Sequence, residues 1–165
     1  MEVIYLSKEI IRNPALEEIK KIGKKLKEKG YVTGTYGNIS IRYGKRMIIT
    51  ATNSDLGALN DDDFVEVVDY NPVTNIAMVI GMKEPSRETP MHWLLYSRQE
   101  INAIIHTHKL FDDVPTTKEE KPAGSLQLAF EVLKTIGEKK LINLKNHGSI
   151  AVGATIKEAM EVVDC

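Results

Sequence analysis

The sequence predicts an α/β fold: a single domain with a central, mainly antiparallel sheet sandwiched by helices. Three observations predict it. A helical apolar repeat is followed by several short apolar runs in direct succession, two of them joined by a tight turn. Helical and strand patterns then alternate to the end of the chain, with no internal repeat or low-complexity tract to mark a second domain. The 165 residues suffice for one domain with a substantial core and no disulfides.

Taken in order, Asn13-Pro14 before Leu16, Glu17 and Glu18 reads as a helix start, with proline in the first helical position. Leu16, Ile19, Ile22 and Leu26 follow at helical spacing, and Gly30 ends the element. Lysines between Lys20 and Lys29 alternate with those apolar residues, so they form a solvated helix face. The segment from Tyr31 to Ser40 carries two glycines, Gly34 and Gly37. It is either a tight turn whose amides face an anion or a plain loop feeding a strand from Ile39 to Tyr43. Gly44-Lys45 turns that strand into Arg46 to Thr50. Ala51 to Asp55 is a polar turn, and Asp61-Asp62-Asp63 reads as a solvated entry to a strand from Phe64 to Tyr70 rather than as metal ligands. Ile76 to Ile80 is a further strand after the turn at Asn71-Pro72.

Glu84 to Pro90 then approaches a helix capped by Thr89, with Pro90 in its first turn. Met91, Leu94 and Leu95 face its core side, and His92 reads as a packed, hydrogen-bonded structural residue. Ala103 to His108 is a buried strand ending in His-x-His. Lys109 to Gly124 is a loop, and Ser125 to Ile136 a helix with Leu126, Ala129, Phe130 and Leu133 on its apolar side. Leu141 to Leu144 is a strand that turns at Asn146-His147-Gly148 into a last strand, Ser149 to Val152. Thr155-x-x-Glu158 is a capping box opening the final helix.

Composition narrows the function. Apolar residues make up 42% and charged residues 27%, with a net charge of −1, so nothing draws the chain to nucleic acid. One cysteine, Cys165, allows no intrachain disulfide and suits a reducing compartment. No secretory leader and no stretch of transmembrane length is evident, so a cytoplasmic protein with no membrane partner is expected.

The histidines carry the chemistry. Side chains on a strand alternate with period two, so His106 and His108 point the same way. His147 sits in a turn after another apolar run, and the chain has four histidines in all. Three imidazoles plus an acid or water complete a tetrahedral zinc site with an open position, although imidazole and carboxylate also suit manganese, iron and cobalt. A purely structural zinc would usually be closed by cysteines, and the only one here is the terminal Cys165.

In order, Gly34-Thr35-x-Gly37-Asn38-Ile39-Ser40-x-Arg42, Ile49-Thr50, Pro85-Ser86-x-Glu88, His106-x-His108 and Asn146-His147-Gly148 resemble the motifs of the class II aldolase/adducin family. Its fuculose-1-phosphate aldolase branch is nearest, with ribulose-phosphate epimerases and methylthioribulose-phosphate dehydratases alongside. The resemblance implies one zinc per subunit on His106, His108 and His147, with Glu88 as the catalytic acid–base. It implies a phosphate pocket of Thr35, Gly37, Asn38, Thr52, Asn53, Ser86 and Arg87. The expected activity is retro-aldol cleavage of a small phosphorylated ketose through a metal-bound enediolate. Dehydration or epimerisation on the same metal is the alternative, and a non-catalytic module like the adducin head the remaining one. A homo-oligomer, a tetramer with sites at subunit boundaries, is implied as well. The chain departs from the family in three places: Asn53 stands where a glycine is usual, the interval from His108 to His147 is short, and relatives continue past Cys165. Asn tolerates a left-handed backbone, so the turn at Asn53 is expected to survive.

Overall fold

The computed structural model describes residues 1–164, and Cys165 lies outside them. Apolar runs too short for helices become strands: β1 (Glu2–Ser7), β2 (Asn38–Tyr43), β3 (Arg46–Thr50), β4 (Phe64–Asn71), β5 (Ile76–Ile80), β6 (Ala103–Thr107), β7 (Leu141–Leu144) and β8 (Gly148–Gly153). They form one sheet in the order β1-β5-β4-β3-β2-β6-β8-β7. Only β1 with β5 is parallel; the other neighbours are antiparallel. The expected mainly antiparallel sheet is therefore present, with one strand more than the sequence reading found. Apolar residues at successive positions from Val3 to Leu6 hide the alternation of β1, whose Val3 and Tyr5 pack inward while Ile4 and Leu6 stay exposed.

Four helices cover the sheet: α1 (Leu16–Glu28), α2 (Thr89–Leu95), α3 (Leu126–Ile136) and α4 (Ile156–Asp164). α1 and α4 pack on one face, against Ile39, Ile48, Phe64 and Ile105. α2 and α3 pack on the other, against Met47, Ile49, Val67, Ile104 and Ile150. Neighbouring Ile104 and Ile105 thus enter opposite cores, which is why β6 reads as a continuous apolar run. Each such side chain, once buried, contributes ~1.5–3 kcal/mol.

Helix ends account for the differences from expectation. Asn13 forms a turn ahead of α1, its side chain accepting from the Ala15 amide at 2.9 Å, and the helix begins only at Leu16. At the other end Gly30 donates to the Lys27 carbonyl and Tyr31 to Leu26, the paired bonds of a Schellman stop. Glu88, not Thr89, is the N-cap residue of α2, because the Thr89 hydroxyl is drawn back to the Ser86 carbonyl at 2.7 Å. Phe130 lies 50% exposed: the core face of α3 runs through Leu128, Ala129, Val132 and Ile136, once Ser125 caps the Leu128 amide and sets the helix rotation. Thr155 Oγ1 accepts from the Glu158 amide as the capping box requires, but the Glu158 carboxylate accepts from the Ala154 amide rather than that of Thr155. Asp61–Asp63 is a short 3-10 turn, as a strand entry; Asp63 is nonetheless buried, taking Lys83 at 2.6 Å and the Asn60 amide at 2.8 Å.

Candidate metal centre

β6 lies inside the sheet between β2 and β8, and its C-terminal end delivers His106 and His108 to one side. His147 comes from the β7–β8 turn. That turn needs Gly148 at φ +100°, since a Cβ there would strike the Thr107 carbonyl oxygen and lie 2.7 Å from the His108 Cα. The close approach packs three rings together: centroids are 5.3 Å apart for His106–His108, 4.9 Å for His106–His147 and 5.7 Å for His108–His147. One ligand nitrogen from each falls within 4.8 Å of the others, close enough for small ring rotations to bring them to one ion. His106 is buried and His108 exposed, so the group runs from the core to the mouth of a cleft.

Glu88 meets the rings from the start of α2. Its Oε2 lies 3.2 Å from His106 Nε2 and its Oε1 lies 3.0 Å from His147 Nε2. The His106 tautomer follows from its other nitrogen: Nδ1 is 2.9 Å from the Ser149 carbonyl, which can only accept, so Nδ1 carries the hydrogen and Nε2 presents a lone pair. That lone pair faces Glu88 Oε2, which accepts from the Asn38 amide at 2.7 Å, and the buried His106 Nε2 itself has no hydrogen-bond partner. Two acceptors held so close repel unless a positive charge stands between them. A divalent cation between them would satisfy both, and a backbone carbonyl orienting a ligand imidazole is the usual support of a metal site.

Charge states agree with that arrangement. Burial pushes the Glu88 carboxyl up, but His106, His147 and the Asn38 amide outweigh it and hold Glu88 well below the usual carboxylate range. Burial holds His106 below the ordinary imidazole value despite Glu88, and His108 is lowered by burial and its two neighbouring rings. His106 and His108 are thereby kept in the neutral form that a metal takes, with Glu88 beside them as a carboxylate.

The remaining predicted residues line one cleft of ≈230 Å³: Thr35, Gly37, Asn38, Thr52, Asn53, Ser86 and Arg87, together with Glu88, His108 and His147. Gly37, at φ +84°, lets the loop lie against β6, where a Cβ would sit 3.0 Å from the His106 carbonyl oxygen. Asn53 adopts φ +58°, the left-handed turn expected of it. Thr52 and Ser86 are held by backbone bonds, Thr52 to the Glu84 carbonyl and Ser86 to that of Thr50. The structure adds neighbours that sequence reasoning missed. Tyr36 stacks on His108 at 4.8 Å, and Ala123 brings the loop after His108 to the cleft. His92 is packed and hydrogen-bonded as expected, its ring between Asn38 and Ser40. The alternation of Asn38, Ser40 and Arg42 along β2 was the available signal for that contact.

Comparison with known proteins bears on this geometry. A profile described as the class II aldolase and adducin N-terminal domain matches residues 17–112 and 109–165. An L-fuculose phosphate aldolase of Methanocaldococcus jannaschii is 33% identical over 162 residues, 84% of this chain and 84% of its own. A methylthioribulose-1-phosphate dehydratase of Pectobacterium atrosepticum is 36% identical over 111 residues, 66% of this chain and 51% of its own. Among solved structures, an L-fuculose 1-phosphate aldolase superposes with a TM-score of 0.80 at 26% identity, over 94% of this chain and 82% of its own.

Proposed function

The chain belongs to the class II aldolase and adducin family, and from that premise we propose that it is a zinc-dependent aldolase cleaving a small phosphorylated ketose. The observation that carries the reading is the buried lone pair of His106 Nε2 set 3.2 Å from Glu88 Oε2, an arrangement that calls for a cation. His106, His108 and His147 hold the metal, and Thr35, Gly37, Asn38, Thr52, Asn53, Ser86 and Arg87 line the phosphate pocket. Three imidazole ligands favour zinc over magnesium or calcium, which prefer oxygen ligands. When bound, the metal supplies a Lewis acid that polarises the substrate carbonyl, worth several kcal/mol.

The chain's own residues do the rest. Arg87 and the hydroxyl and amide groups of the cleft grip the phosphate, and that remote binding fixes the reacting carbons beside Glu88. Glu88 Oε1 accepts the proton of the hydroxyl on the carbon to be released. That carbon becomes an aldehyde as the carbon–carbon bond breaks, and the electron pair passes toward the ketone. Glu88 then returns its proton to the carbon left behind, so atoms and charge balance. General acid–base work of this kind contributes ~10²–10⁴-fold.

Dehydration is the second reading, favoured by the similarity to a dehydratase. A product assay separates the two: an aldolase yields two shorter carbonyl compounds, a dehydratase one product short of a water. The test is the incubation of metal-loaded protein with fuculose-1-phosphate and its ribulose and rhamnulose analogues, with products identified by NMR. Cleavage of at least one is expected. No cleavage of any, with metal bound, would refute the reading.

We further propose that residues 1–165 form one class II aldolase-like domain that assembles as a homo-oligomer, a tetramer by family resemblance, in the cytoplasm. Exposed Ile4, Leu6 and Met78 on the outer strands support assembly, since β1 and β5 pair Ile4 with Met78 in one apolar strip. Among the described residues no helix is long and apolar enough to cross a membrane.

A further inference from the structure

Behind Glu88, β2 and α2 enclose a row of polar side chains that the steps above leave unused. His92 is fully buried on α2, Asn38 and Ser40 face it from alternate positions of β2, and Tyr96 lies one turn further along the chain. Tyr96 Oη is 2.8 Å from Ser40 Oγ, and Ser40 Oγ is 2.6 Å from His92 Nδ1. His92 Nε2 is 2.5 Å from Asn38 Oδ1, and Asn38 Nδ2 is 2.7 Å from Glu88 Oε2.

The direction of each bond follows from its end at Glu88. A carboxylate only accepts, so Asn38 must turn its NH₂ toward Glu88 and its oxygen toward His92. That oxygen requires a hydrogen on His92 Nε2. Burial holds His92 neutral, its pKa pushed down to about 3, so Nδ1 is bare and accepts from Ser40. The Ser40 oxygen then accepts from Tyr96, whose own ionisation is pushed up by burial. Four bonds run one way and end on a single carboxylate oxygen.

We propose that His92 is a positioning residue for the acid–base step: its Nε2–H fixes the Asn38 amide, Asn38 pins Glu88 Oε2, and Oε1 is left as the oxygen that carries the proton. The assignment rests on the acid–base role given to Glu88 above. Without the His92 donor, the amide of Asn38 is free to turn its oxygen to the carboxylate, and Glu88 loses its fixed aim. Misplacement of a reacting group by about 1 Å costs up to ~10²-fold in rate.

Two substitutions separate aim from packing. His92→Gln keeps an amide N–H at the reach of Nε2, and therefore the link to Asn38. His92→Asn places its amide near the position of Nδ1, keeping Ser40 and losing Asn38. His92→Asn is expected to lower kcat by ~10–10²-fold with KM and metal content unchanged, and His92→Gln to recover kcat to within about threefold. In the wild-type protein loaded with zinc, ¹⁵N NMR of histidine is expected to show His92 with hydrogen on Nε2 and none on Nδ1. Equal kcat in the two variants, both folded by thermal unfolding, would overturn the positioning role alone, as would hydrogen found on His92 Nδ1. A wild-type enzyme that cleaves no ketose phosphate would overturn the aldolase reading and the step His92 serves together.

Discussion

Gly148→Ala tests how the fold makes the site. Gly148 sits at φ +100°, where a side chain costs about 1–3 kcal/mol in backbone strain. Its new Cβ would also collide with the Thr107 carbonyl oxygen and lie 2.7 Å from the His108 Cα, closer than such contacts are found. The β7–β8 turn has to retreat from β6 by roughly 1 Å, carrying His147 with it. A loss of ~1–3 kcal/mol in a domain of this size lowers Tm by about 2–12 °C. The withdrawn ligand should weaken metal binding by ~10–100-fold, the range seen when ligand support is removed. Thermal unfolding reads the first effect, and competition with a chromophoric chelator at fixed pH the second. A variant with unchanged Tm and unchanged metal affinity would refute the idea that this glycine presses His147 into place.

Glu88→Gln should leave metal content intact and reduce retro-aldol turnover by ~10²–10⁴-fold, measured by coupled detection of the released aldehyde; near-wild-type turnover would remove its assigned role. Asp63 is held below its ordinary value because the Lys83 ammonium and the Asn60 amide outweigh its burial. Its stabilisation is therefore present above the unfolded carboxylate pKa and lost as pH falls through the depressed folded value. Asp63→Asn should cost ~1–2 kcal/mol at pH 7 and flatten the acid limb of stability, checked by urea unfolding between pH 7 and pH 2; a parallel shift at every pH would contradict it. On α3, Leu128→Ala should cost ~2–5 kcal/mol and Phe130→Ser less than ~0.5 kcal/mol. Equal effects in urea unfolding would mean that the buried face of the helix is misassigned.

Much of the fold was legible because its elements obey simple periods. β3, β5 and β7 fall where their apolar runs lie, and β6 advertises burial on both faces by having no polar residue before His106. β1 escaped because hydrophobic residues at adjacent positions erase the alternation, and only its parallel pairing with β5 gives those positions their meaning. The rotation of α3 was unreadable for a related reason. Apolar residues at 126, 128, 129, 130, 132 and 133 fit two stripes, and packing against α2 and the sheet chooses between them.

The candidate site divides the same way. His106 and His108 are paired by strand geometry alone, whereas His147 joins them through a long-range register, with β8 set beside β6 so that His106 opposes Ile150. The partners of Asn38 were hidden altogether, because its hydrogen bonds reach 50 and 54 positions along the chain to Glu88 and His92.

X-ray absorption fine structure at the metal edge of the zinc-reconstituted protein addresses the central claim directly. Three imidazole nitrogens at ~2.0–2.1 Å with oxygen completing the shell is the predicted result. A shell with one imidazole or none would contradict the convergence of His106, His108 and His147 on a single ion.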